Sequence, residues 1–208
     1  SAMLLLLAGS MVAVYVQVQK QETDGLVINE TGKLRMLSQR LAKSALTAGR
    51  EDISSQKRSE AREELRGVAQ QFNDGLQAVY KGDPSRSIPP APPAVAKQLS
   101  GVEALWQKTR SDIGQVLKAE PGSEASEEAL AGIQSRNLDL LKEADAAVGL
   151  FEKQAEAKIT SLYWILSALM GLGALLFVGI LVAMQRLLVA PVQQLDEAAQ
   201  QVAAGDLE

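Results

Sequence analysis

Two apolar runs frame the chain, and between them apolar residues recur at spacings of three and four. The second run, Leu162 to Met184, reads LYWILSALMGLGALLFVGILVAM and contains no charged residue. At about 1.5 Å of helical rise per residue, it is long enough to cross a bilayer core of about 30 Å with slight tilt. Tyr163 and Trp164 stand at its first end, where aromatic rings favour the water–lipid boundary, and Arg186 follows its last. The first run, Met3 to Val18, is shorter. It lacks the charged leader and small-residue cleavage site of a signal peptide, so it predicts a first membrane helix without its leading residues, with Ser1-Ala2 a tag remnant.

The intervening pattern predicts four helices. The first continues from the membrane run to about Arg50 without a proline. The second starts at Ser54-Ser55, either of which can cap it, and runs to about Lys81, where Gly82-Asp83-Pro84 stops it. Its Leu65, Val68, Phe72, Leu76 and Val79 form the seam of a packed helix. The segment DPSRSIPPAPP, Asp83 to Pro93, is expected to be an extended, stiff connector. The third helix spans about Ala94 to Ala119, with Val95, Leu99, Val102, Trp106, Thr109, Ile113 and Val116 inward, and Pro121-Gly122 breaks it. The fourth begins near Ser123, with Glu127 and Glu128 favourable in its opening turn. It directs Leu130, Ile133, Leu140, Ala144, Val148 and Phe151 to the core. Short links between such helices imply an all-α, antiparallel four-helix bundle flanked by two transmembrane helices.

Composition narrows the chemistry. The chain has no cysteine and no histidine, which excludes disulfide frameworks, Cys-based zinc sites and histidine-dependent catalysis. The net charge of −4 gives no basis for a nucleic-acid partner. Scattered carboxylates without a metal-ligand constellation read as solvated helix faces, so neither an enzyme nor a cofactor is expected.

The segment INETGKLRMLSQRLAK, Ile28 to Lys43, carries the candidate chemistry. Helical spacing places Thr31, Gly32, Arg35, Ser38, Ala42, Ala45 and Gly49 along one stripe. Small residues let a partner helix approach closely, and Arg35 is the one long, permanently charged side chain among them. A guanidinium in such a place needs an anionic partner. One candidate is a carboxylate, Glu30 or one on another helix. The other is a small planar anion held between two copies of Arg35 across a two-fold axis, with Gly32 leaving room for it. Arg40 and Lys43 are expected to be solvated or paired, and Leu34, Met36, Leu37 and Leu41 to be core.

The run GKLRMLSQRLAK resembles the signature of the PilJ-type sensing domain at the front of some methyl-accepting chemotaxis transducers. It is also similar to the first-helix motif of the nitrate/nitrite sensor histidine kinases. The resemblance implies a homodimeric receptor that binds a small oxyanion, nitrate first among the candidates, at the subunit boundary. It assigns ligand binding to Arg35 and Gly32, with Thr31, Met36 and Ser38 as secondary candidates. Glu30 stands where some nitrate sensors carry lysine, and a carboxylate there lowers the local positive potential.

After the second membrane run, LLVAPVQQLDEAAQQVAAGDLE resembles the first helix of a HAMP relay, opened by Pro191 and ended by Gly205-Asp206-Leu207. The predicted division is therefore a first transmembrane helix (1–18), an extracytoplasmic ligand-binding bundle (19–161), a second transmembrane helix (162–184) and the start of HAMP (185–208). The implied setting is a two-pass protein of the bacterial inner membrane. Its periplasmic sensor would couple through a cytoplasmic signalling domain to a histidine kinase pathway. A sensor histidine kinase with the same front end, and a pilus-related interaction module without a small ligand, are the alternatives.

Overall fold

Residues 2–192 are described by a computed structural model. They form four long helices: α1 (Ala2–Ala48), α2 (Ser55–Lys81), α3 (Pro93–Lys118) and α4 (Glu124–Met184). A 3-10 turn at Pro84–Arg86 and a π turn at Gln185–Val189 complete the helical elements, and no strand occurs among the described residues. The chain divides into two units, one of Val18–Lys158 and one of the segments on either side of it.

In the Val18–Lys158 unit, the termini of the helices follow local chemistry. The Ser54 side chain accepts from the Lys57 amide and caps α2. Arg58 gathers the turn between α1 and α2 by donating to the carbonyls of Arg50, Glu51 and Ile53. Gly82 ends α2 at φ +86, a conformation open to glycine.

One apolar core draws on all four helices. Every periodic position expected to point inward on α2 and α3 is buried. On α4, Ile133, Leu140, Ala144, Val148 and Phe151 are buried, while Leu130 is half-buried and stands over Gly49. Trp106 and Phe72 are the largest fully buried side chains, with ring centroids 4.6 Å apart and planes inclined by 39°. The Trp106 indole nitrogen donates to Asn73 Oδ1 at 3.2 Å, so its one polar atom is satisfied.

Polar contacts fix the directions of the helices. Asp24 meets Lys158 and Arg35 meets Asp145, so position rises along α1 as it falls along α4. Arg62 reaches the Ala119 carbonyl, Asn73 meets Trp106 and Gln77 meets Glu103, giving the same opposition between α2 and α3. Gln98 meets Glu143 and Asp112 meets Arg136, which repeats it for α3 and α4.

The connector between α2 and α3 departs from the extended expectation. Asp83 pairs with Ile88 in an isolated bridge around the 3-10 turn, and Ser87 adopts a left-handed conformation at φ 56. Asp83 organises this turn: its carboxylate accepts from the Ser85 amide and hydroxyl and from Arg86 Nε. Ile88 is buried and belongs to the core, which draws the chain inward before the proline run. Only 89–92 are free of regular structure, as their prolines require.

Among the described residues, the helix Glu124–Val192 is long and apolar enough to cross a membrane, and its most apolar window is wholly unburied. Tyr163 and Trp164 are exposed at the start of the apolar run. Pro191 does not open a new helix: residues 190–192 continue the helix after the π turn. The Ala190 amide donates to Gln185 O, five residues back. Such widening relieves the steric conflict of a proline ring with the preceding turn. The rest of the HAMP-like segment, 193–208, lies outside the described residues.

Candidate functional site

The Ile28–Lys43 segment lies within α1, and its apolar positions do most of the core packing there. Leu34, Leu37 and Leu41 are buried as expected, but Met36 is 52% exposed. Positions 34, 37 and 41 follow the helical repeat on one side, and 36 falls outside it. Met36 is therefore removed from the core and stands on the surface next to Arg35.

The stripe of small residues divides in two. Thr31, Ser38 and Ala45 are fully buried and face the interior of their own chain. The two hydroxyls tolerate this because each donates to a carbonyl of its own helix: Thr31 Oγ1 to Val27 O at 2.8 Å, and Ser38 Oγ to Arg35 O at 2.8 Å. Neither is therefore free to meet a ligand or a second subunit. Gly32, Arg35, Ala42 and Gly49 are half-exposed and form the accessible remainder.

Arg35 has a protein partner. Its Nη1 lies 2.5 Å from Asp145 Oδ1 on α4. Of the two carboxylate options left open by the sequence, the structure realises the one on another helix. The guanidinium is 43% exposed and Asp145 61% exposed, so solvent screens the pair and its net worth is below about 1 kcal/mol. Arg35 has five N–H donors and this contact uses one, which leaves capacity for a second acceptor. Its Nη2 lies 3.6 Å from where a Gly32 Cβ would stand. The guanidinium thus lies over the glycine and fills part of the room assigned to an anion.

Glu30 does not pair with Arg35. Its carboxylate accepts from Lys33 Nζ at 2.8 Å and from Arg86 Nη1 in the connector at 3.0 Å. With two cations on one carboxylate, Glu30 no longer depresses the potential near Arg35 as a bare acid would. On the Arg86 side, the neighbouring Asp83 and Glu30 carboxylates together raise the guanidinium pKa above its ordinary value. Arg40 pairs with Glu64 at 3.2 Å, and Lys43 is exposed.

Asp145 and Arg86 complete the surroundings of the motif, and spacing along α1 does not reveal them. Asp145 follows the core residue Ala144, and this adjacency alone hints that it borders a packed seam. No group of three or more potential metal ligands occurs among the described residues.

The comparisons with known proteins agree with the motif. A family model described as the type IV pili methyl-accepting chemotaxis transducer N-terminal domain, PilJ, matches residues 16–132. The chain is similar to Protein PilJ of Pseudomonas aeruginosa, with 35% identity over 83 residues, or 40% of the chain. That match spans 11% of the relative's length.

Proposed function

Because the chain belongs to the PilJ family of chemotaxis-transducer N-terminal domains, we propose that it is the sensing front end of a two-pass receptor in the bacterial inner membrane. In this reading Val18–Lys158 is a periplasmic, antiparallel four-helix bundle, the two apolar runs cross the membrane, and 185–208 begins a HAMP relay. The active form is a homodimer that binds a small oxyanion, nitrate first, at Arg35. The output passes to a cytoplasmic signalling domain and a histidine kinase pathway, and no reaction is catalysed in this part of the chain.

The observation that carries the reading is the weak, exposed pair that Arg35 of the motif makes with Asp145 on α4. An incoming anion competes with Asp145 for the guanidinium or takes its unused N–H donors. Two Arg35 side chains from two subunits would repel until a shared anion bridges them. The ligand then favours the conformation in which the first helices lie closer, and this differential affinity is the signal. Exposed Leu26, Met36 and Leu46 on α1 and Leu138 on α4 supply apolar surface for a subunit contact.

Calorimetric titration of the full chain with nitrate, nitrite and formate tests the proposal. Nitrate should bind with one anion per dimer and fail to bind the Arg35→Ala variant. Binding that survives Arg35→Ala removes this site. The same exposed apolar residues, with the pilus-related description of the family, favour a second reading: a protein-interaction module. Capture of a defined pilus subunit, insensitive to nitrate and abolished by Met36→Glu with Leu138→Glu, would establish that reading instead.

A further inference from the structure

We propose that the groove between α2 and α3 is a second, independent ligand site that takes a small organic acid, a carboxylate on a compact apolar body. The groove measures about 290 Å³, near the lower bound for small-molecule pockets. That size suits a molecule of about ten non-hydrogen atoms and not a peptide.

Two guanidinium groups line it, Arg66 from α2 and Arg110 from α3. Every other arginine between Val18 and Lys158 donates to a carboxylate or a carbonyl of the chain. Arg66 and Arg110 have no acceptor among the described residues. With one such guanidinium on each helix of the groove, a bound carboxylate can draw charge-assisted hydrogen bonds from both sides. No acid lines the groove, and Asp74, beside the lining residue Asn73, is held by the side-chain amides of Gln70 and Asn73.

The rest of the lining is apolar. Ala69, Ile113 and Leu117 offer a surface for a hydrocarbon body, and the buried Trp106 closes the base. Gly114 also lines the groove, and a Cβ there would meet nothing within 4 Å. The helix thus leaves open volume where almost any other residue would fill it. An apolar floor with a cation on either helix is the arrangement expected for recognition of an amphipathic anion.

The test uses the full chain in detergent micelles, with benzoate as the probe and benzamide as its neutral isostere. The indole N–H resonance of Trp106 reports on the groove, since the other tryptophan, Trp164, lies in the apolar run. Benzoate should shift that resonance in a saturable manner and benzamide should not. Arg66→Gln and Arg110→Gln should each weaken benzoate by about tenfold. Gly114→Leu should abolish binding while leaving the thermal transition in place, and Arg35→Ala should change nothing. The proposal is overturned if benzoate and benzamide shift the resonance alike, if benzoate has no effect, or if both arginine variants bind benzoate as the parent does. If Gly114→Leu fails to fold, the two arginine variants decide alone. Loss of nitrate binding at Arg35 leaves this result untouched, so the two sites stand or fall separately.

Discussion

Arg35 on α1 and Asp145 on α4 lie 110 residues apart in sequence and meet at 2.5 Å on the surface of the helical unit. The pair joins the family motif to the helix that continues into the apolar run. Asp145→Asn leaves Arg35 without a carboxylate and removes a negative charge from its vicinity. Nitrate affinity should therefore rise, by up to about tenfold, while thermal stability changes by less than about 1 kcal/mol. Calorimetric titration and a melting curve on the same sample check both halves. Unchanged or weaker nitrate binding would mean that Asp145 does not compete for the guanidinium.

The aromatic pair at the centre of the core is the most sensitive packing site. Trp106→Ala removes a fully buried indole, its contact with Phe72 and the partner of Asn73 Oδ1. The loss should be about 3–5 kcal/mol. Asn73→Ala alone should cost about 1–2 kcal/mol, because it leaves the indole N–H unsatisfied. Urea denaturation followed by far-ultraviolet circular dichroism measures both.

The connector should respond to acid. Hydrogen bonds from Ser85 and then Arg86 hold the Asp83 carboxyl down from its ordinary 3.8 to about 2. A carboxylate with a depressed folded-state value stabilises the turn above pH 3.8 and loses that contribution as pH falls towards about 2. Hydrogen exchange at the Ser85 amide should accelerate across that window relative to exposed amides. In Asp83→Ala, which has no side-chain acceptor, the amide should exchange quickly at every pH, without the acid-dependent step.

Two glycines, one inside α2 and one at its end, should respond in opposite senses to alanine. At Gly82, φ is +86 and a new Cβ would lie 2.8 Å from Pro90 N and 3.1 Å from Ile88 O, so Gly82→Ala should destabilise by about 1–3 kcal/mol. At Gly67, within α2, a Cβ meets nothing within 4 Å. Gly67→Ala should stabilise by about 0.5–1 kcal/mol through helix propensity. Melting temperatures of the two variants against the parent decide the point.

Periodicity makes much of the fold legible in the sequence. On α3, Val95 through Val116 follow the three–four rhythm and all seven named positions are buried, because each must face the one available core. The motif on α1 was harder to place. Thr31 and Ser38 look like interface residues by composition, yet each hydroxyl satisfies itself on its own helix and so enters the core. Met36 looks like core by composition but lies off the apolar seam. Arg35's partner was open because the register between α1 and α4 depends on how two helices slide against each other. That register is set by residues as distant as Asp24 and Lys158, which meet at 2.6 Å. In the connector, the prolines suggested a stiff strap, but Asp83 has acceptors enough to wrap it into a turn.

The Glu30–Arg86 contact ties α1 to the connector between α2 and α3. Arg86 sits in a turn whose neighbour Ile88 is rooted in the core, so this end of the tether is anchored. A piston displacement of 1–2 Å is within the slack of a long arginine side chain. A ratchet by one helical turn, about 5.4 Å, would tear the two groups apart or pull the connector with it. A short displacement of α1 therefore keeps this contact and a longer one gives it up, and Arg86→Ala removes the tether altogether.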